Sequence, residues 1–183
     1  LPAQRDNAKI AAISTWFKLN CLLNALWIVV WHYDLVIVSL LVMVGILVTL
    51  ILIYRALIAT IAAAPWAEHL ALYLPFSVYT GWITLATIAN ASVVQNAYGL
   101  DDAVLGAVQW TLLKLAAAGA IGATMILRFR DAPFALVVAW GAYGIAVAQL
   151  ETPSVAGAAL TLSLLMLILA GKDGLDRLLT HRS

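Results

Sequence analysis

The chain has 183 residues, of which 64% are hydrophobic and only 10% charged, and its mean hydropathy is +1.00. This composition leaves too few polar side chains to coat a soluble domain, so it predicts an integral membrane protein whose first partner is the lipid bilayer. The formal net charge of +1 comes without a basic tract, which excludes nucleic acid as an expected partner.

Motifs for catalysis or metal binding are missing from the sequence. It has no CxxC, no HExxH, no glycine-rich phosphate loop and no nucleophile elbow. Cys21 is the only cysteine, so a disulfide within the chain is excluded. We therefore predict that the protein is not an enzyme and has neither catalytic residues nor a metal site.

Six apolar runs predict an all-α, polytopic membrane helix bundle with about six transmembrane helices. They cover residues 11–31, 35–56, 74–96, 103–127, 132–149 and 153–171, each close to the ~20 residues that a membrane-crossing helix needs. The short connections predict one transmembrane helical domain over residues 1–183. The stretch 57–73, with Pro65 and Trp66, predicts a short helix at the headgroup level, and the tail after residue 171 predicts another.

The basic residues outside these runs are confined to the termini and to alternate connections. The termini and the second and fourth connections carry the basic side chains Arg5, Lys9, Arg55, Arg128, Arg130, Lys172, Arg177 and Arg182. The other connections carry the acids Asp34, Asp101, Asp102 and Glu151. By the positive-inside rule, both termini are predicted on the cytoplasmic side, or on the matrix or stromal side of an organelle.

Two amides and two indoles share one face of the first apolar run. Asn20, Asn24, Trp27 and Trp31 follow each other at helical spacing. Because an Asn side chain in lipid needs a polar partner, this face is predicted to point into the bundle. Two interpretations stay open: interhelical hydrogen bonds with space-filling indoles, or a face that contacts a ligand.

The third apolar run has a similar character. Its candidate ligand-binding residues are Tyr79, Trp82, Thr87 and Asn90. A Thr hydroxyl can bond to its own helix, but an Asn amide is harder to satisfy locally. Two helices that both present Asn and Trp predict a pocket with flat apolar walls and a few amide groups, which suits a large planar hydrophobic molecule.

These residues resemble a known family. The segment Leu23–Trp27 has the pattern LNxxW, and Trp82, Ala86, Thr87 and Asn90 reproduce the spacing WxxxATxxN. Over residues 16–96 the chain is similar to the tryptophan-rich sensory protein and translocator protein (TspO/MBR) family. The resemblance implies ligand binding or sensing without a catalytic residue. It implies a tetrapyrrole of the porphyrin, haem or chlorophyll type as the ligand, with sterols and other apolar molecules as alternatives.

The chain departs from the family pattern in three places. Pro75 lies seven residues before Trp82, about one turn further than the family's proline. The two helices that precede these in the family have no counterpart, and the chain begins with Leu1, which predicts a fragment or a processed product. Residues 97–183 form an additional three-helix half beside the TspO-like half, residues 1–96.

Lys114 is the most unusual residue of the second half. It lies roughly 18 Å along the fourth predicted helix, at ~1.5 Å per residue, and so near the middle of the bilayer. One interpretation is a cation that binds a carboxylate of the ligand. The other is a lysine that reaches the membrane surface, faces a partner, or lies beside Gln109 or another amide.

Small residues are frequent in the last three runs and predict close helix packing, inside the chain or against a neighbour. They lie at 116–122, at Gly141 and Gly144, and at 156–159. They favour a second interpretation, a structural accessory subunit of a larger membrane complex or an oligomer. A small transporter is a third, although no inverted repeat supports it.

Overall fold

A computed structural model describes residues 7–60, 64–100 and 105–180 of the chain. Over these ranges the protein consists of helices without a β-strand, which confirms the all-α prediction. The helices are α1 (Ala8–His32), α2 (Val36–Ile58), α3 (Trp66–Ala97), α4 (Ala107–Phe129), α5 (Ala132–Ala148) and α6 (Pro153–Thr180). Several residues of the topology prediction and one histidine lie outside the described residues: Arg5, Asp101, Asp102, His181 and Arg182.

The helices have the length and surface of membrane-spanning segments. Among the described residues, five of them (α1, α2, α3, α4 and α6) are long and apolar enough to cross a bilayer. The remaining predicted span, the fifth at residues 132–149, is the shorter helix α5, with 17 residues. Large aliphatic side chains lie exposed on the outside, among them Leu22, Leu41, Leu127 and Ile168. Such a surface requires lipid as its solvent, and the protein is an integral, multi-pass membrane protein.

The predicted interfacial helix at 57–73 is not a separate element. Helix α3 begins at Trp66, directly after Pro65, and runs without a break through a π-helical turn at His69–Tyr73 into Leu74. This turn comes just before Pro75. Because proline has no backbone N–H and its ring collides with the carbonyl four residues earlier in a regular α-helix, a wider turn accommodates it. The C-terminal segment likewise continues α6 to Thr180 instead of forming a helix of its own.

Local side-chain contacts define where the helices begin and end. Asn7 caps α1 by accepting a hydrogen bond from the backbone N–H of Lys9 at 2.9 Å. Arg130 ends α4 in the left-handed conformation, with φ of 55°. The next residue, Asp131, caps α5 by accepting from the N–H of Phe134 at 3.1 Å. Two adjacent residues therefore turn the chain between two membrane helices.

The chain divides into two compact units, Leu1–Val94 and Gln95–Ser183. In unit 1, α1, α2 and α3 pack around an aliphatic core that includes Val30, Met43, Ile46, Leu50 and Ile83. A second cluster in this unit joins Ile13, Ile53, Leu57 and Tyr73. The core places one face of α1 against α2 and α3, and this is the face that carries the polar residues described below.

In unit 2, α4, α5 and α6 pack closely through small residues. Ala118, Ala139 and Ala159 are buried. At Gly122 an added Cβ would lie 2.9 Å from the sulfur of Met166, so the neighbouring helix occupies that space. The prediction of close packing is confirmed at these positions. Around Gly144 and Gly157, by contrast, a Cβ would meet no atom within 4 Å.

Candidate functional site

A buried network of amide, phenol and hydroxyl groups connects the three helices of unit 1. Asn20 on α1 is 1% exposed, and its Nδ2 donates to Oγ1 of Thr49 at 2.8 Å and to the carbonyl of Ile46 at 3.2 Å, both on α2. Nδ2 of Asn24 donates to Oδ1 of Asn20 at 3.0 Å. The hydroxyl of Tyr79 on α3 donates to Oδ1 of Asn24 at 2.8 Å.

This network gives each member a partner on another helix or on the next helical turn. Both polar atoms of the Asn20 carboxamide are engaged, and so are those of Asn24. In a membrane protein such contacts hold helices together, because lipid offers no replacement for the lost hydrogen bonds. A ligand reaches Asn20 only by displacing some of these partners. Of the predicted residues, the structure thus brings Tyr79, Asn20 and Asn24 together.

The two tryptophans of α1 form a stacked pair next to this network. The ring centroids of Trp27 and Trp31 are 5.3 Å apart, and the ring planes differ by 17°. Trp27 packs against the aliphatic core of unit 1, and its Nε1 is buried without a hydrogen-bond acceptor among the described residues. Trp31 is 40% exposed. The pair combines an accessible flat aromatic surface with an unpaired N–H donor.

Asn90 lies further along α3 and contacts a different residue. Its Oδ1 accepts from the hydroxyl of Ser39 on α2 at 3.2 Å. Its Nδ2 is buried and has no acceptor in the described parts of the chain. The hydroxyl of Thr87 donates to the carbonyl of Ile83 in its own helix at 2.7 Å, which is the local bonding expected of a membrane threonine.

The other two predicted residues, Trp82 and Lys114, have surroundings of their own. Trp82 is 47% exposed, in contrast to the buried Ile83 beside it. Lys114 belongs to unit 2, where its ammonium donates to Oε1 of Gln95 at 2.5 Å. An amide therefore satisfies this lysine, although it is Gln95 and not Gln109.

The sequence did not reveal a cluster of charges at the end of α4. The carboxylate of Asp173 on α6 is buried and accepts from Nε of Arg130 at 2.7 Å and from Nε of Arg177 at 2.8 Å. Arg177 also donates to the backbone carbonyl of Arg130. The spacing of Asp173 and Arg177 by four residues is a signal for their pair, but it gives no indication of Arg130.

Metal binding has no support in the described residues, since they contain no group of three or more His, Cys, Asp or Glu side chains able to hold an ion. His32 at the end of α1 contacts the ring of Tyr33 edge to face, with centroids 5.3 Å apart. This arrangement is typical of an aromatic belt at a membrane surface.

These features define a polytopic α-helical membrane protein whose first unit combines stacked indoles with buried amides. The model of the TSPO-like protein family matches residues 1–171, and the chain belongs to that family. The resemblance read from residues 16–96 is thereby confirmed, and the matched stretch extends through both units. No curated protein and no solved structure is significantly similar to the chain. Membership indicates a membrane protein of the sensor or translocator type, in a family that is generally not enzymatic.

Proposed function

We propose that unit 1 binds a large planar hydrophobic ligand of the tetrapyrrole class, with the porphyrin, haem and chlorophyll types as candidates. The observation that carries this proposal is a pair of unsatisfied donors. Nε1 of Trp27 and Nδ2 of Asn90 are both buried and lack an acceptor among the described residues. Each such donor costs on the order of 1–3 kcal/mol. A ligand with carbonyl or carboxylate oxygens recovers this energy when it accepts from them.

The aromatic side chains of unit 1 supply the surface that a macrocycle needs. The ring of Trp31 stacks on that of Trp27 and is 40% exposed, so it offers a flat aromatic surface, and Trp82 is accessible as well. A planar ring system buries a large apolar area when it stacks on an indole. The family's sensor or translocator character agrees with reversible binding of such a molecule.

The test is a titration of the full chain in detergent micelles with protoporphyrin IX. Quenching of tryptophan fluorescence and the shift of the Soret band both report binding. We expect saturable quenching in the parent and about a fivefold weaker affinity in Trp27→Phe, since this change removes one hydrogen bond of ~1 kcal/mol and keeps an aromatic ring.

Trp66→Phe is the matched control, because Trp66 is exposed at the start of α3 and outside the stacked pair. It should bind like the parent. Absence of saturable binding in a folded parent contradicts the proposal. Equal affinities of the two variants contradict the role of the Trp27 indole.

A structural subunit of a larger membrane complex, or of an oligomer, is the second candidate function. It is favoured by the open space around Gly144 on α5 and Gly157 on α6, where a partner helix can approach the backbone closely. Gly144→Leu should then abolish co-migration of the protein with a larger complex on native gels of solubilised membranes. Gly122→Leu places a large side chain inside unit 2 and should unfold that unit. A parent that migrates as a monomer from native membranes contradicts this candidate.

A further inference from the structure

An open cavity of about 240 Å³ lies between the C-terminal end of α4 and the second half of α6, within unit 2. Its walls have two kinds of lining. Ile126, Leu127 and Leu169 form the apolar part, and Arg130, Lys172, Asp173 and Asp176 form the charged part. The ligand site proposed for unit 1 does not include it, so the inference below is independent of that proposal.

Arg130, one of the two cations that line this cavity, is held in place by a buried carboxylate. Asp173 is 8% exposed and pairs with both Arg130 and Arg177, whose side chains are each 53% exposed. Arg130 donates to Asp173 through Nε, which lies on one edge of its guanidinium. An arginine has five N–H donors in a planar fork, so the outer edge of Arg130 can still bind an oxyanion.

Lys172 adds a second cation to the rim of the cavity. It is exposed, and its ammonium has no hydrogen bond or ion pair with any residue that the structure describes. Asp173 is already neutralised by its two arginines. Asp176 also lines the cavity, so the three cations Arg130, Lys172 and Arg177 stand against two carboxylates, and the net single positive charge favours a singly charged phosphodiester over a phosphate dianion.

The position along the helices matches the boundary between lipid and water. The apolar stretch of α6 ends at Gly171, next to Lys172, and α4 ends at Phe129, next to Arg130. The apolar lining residues precede these ends and therefore lie on the hydrocarbon side. Basic residues above an apolar wall, at the end of membrane helices, are the arrangement that binds anionic lipid headgroups.

We propose that this cavity is a binding site for an anionic phospholipid. Arg130 and Lys172 contact the phosphodiester, and Leu127 and Leu169 contact the start of an acyl chain. Asp173 is a positioning residue that orients Arg130 without touching the lipid. Free inorganic phosphate shares the oxyanion chemistry, but it makes no contact with the apolar wall, and as a dianion it exceeds the net single positive charge of the site.

The experiment measures binding to the full chain in a neutral detergent by native mass spectrometry. Three probes are titrated: short-chain phosphatidylglycerol, short-chain phosphatidylcholine with the same acyl groups, and inorganic phosphate. For the parent we expect phosphatidylglycerol to bind at least tenfold more tightly than either of the others. Lys172→Gln should lose about tenfold in affinity for phosphatidylglycerol, and Lys172→Arg should retain it.

Arg128→Gln is the matched control. Arg128 is on the same helix end, but its guanidinium lies over the ring of Phe129 and does not line the cavity. The variant should lose less than about fivefold in affinity for phosphatidylglycerol, which is the effect of removing one surface cation from the positive potential near the membrane. Equal losses in Lys172→Gln and Arg128→Gln overturn the site, and so does equal binding of the two lipids. If phosphate binds as tightly as phosphatidylglycerol, the site binds a free anion and the lipid proposal is wrong.

Discussion

The hydroxyl of Tyr79 on α3 lies 2.8 Å from Oδ1 of Asn24 and 3.2 Å from Oδ1 of Asn20, both on α1. One phenol therefore joins the first and third helices of unit 1 in a setting where water is scarce. Because Asn20 also donates to Thr49 on α2, the three helices share one connected set of hydrogen bonds. Such a set specifies how the helices are rotated about their axes, which apolar packing alone leaves less defined.

Tyr79→Phe should lower the free energy of unfolding by about 1 kcal/mol, in the range found for interhelical hydrogen bonds in membranes. The ring still fills its place, but Oδ1 of Asn24 loses its donor. Reversible unfolding in mixed micelles measures the change. Tyr143→Phe is the control, because Tyr143 is exposed in unit 2 and should have no effect. Equal stability of the two variants would show that Asn24 finds another partner.

Trp82→Ala should weaken porphyrin binding by about 1–3 kcal/mol, close to the value for burying a large side chain. The reason is the loss of a stacking surface in the predicted pocket with Asn24, Trp27 and Asn90. Fluorescence quenching by titrated porphyrin gives the affinity, and circular dichroism shows whether helicity is unchanged. Unaltered affinity in a folded Trp82→Ala variant would remove Trp82 from the pocket.

Asp173→Asn should destabilise unit 2 by about 1–2 kcal/mol, since hydrogen bonds to charged groups are worth somewhat more than neutral ones. The expected loss of stability is small because Arg130 and Arg177 are half exposed and solvent screens their charges. Thermal unfolding in detergent measures it. Glu151→Gln, at an exposed carboxylate in the turn before α6, should change stability by less than about 0.5 kcal/mol. Equal effects would deny Asp173 a structural role.

Both termini are predicted on the positively charged side of the membrane, with the acidic connections on the other. The measurement uses single cysteines placed at Asp102 and at Arg177 in a Cys21→Ala background. A membrane-impermeant maleimide should label them from opposite sides. If both sites are labelled from the same side, the chain crosses the membrane an odd number of times. The 17-residue helix α5 is then the first candidate for a helix that does not cross.

Much of the fold could be predicted from the chain itself. The apolar run at 35–56 became α2 at Val36–Ile58, and the run at 132–149 became α5 at Ala132–Ala148. Helix positions in a membrane follow from the length of apolar stretches, because unpaired backbone groups in lipid force each stretch into a helix. The same reasoning selected Asn20 and Asn24 as residues that need polar partners, and the structure shows those partners.

The identity of the partners was decided only by the tertiary structure. Tyr79 for Asn24, Gln95 for Lys114, and Arg130 for Asp173 are pairs between separate helices or distant segments. Sequence periodicity cannot select them, because helix faces toward lipid and toward protein are both apolar and give no contrast. Helix positions depend on local hydropathy, whereas helix rotation depends on side chains that meet only after the helices have packed.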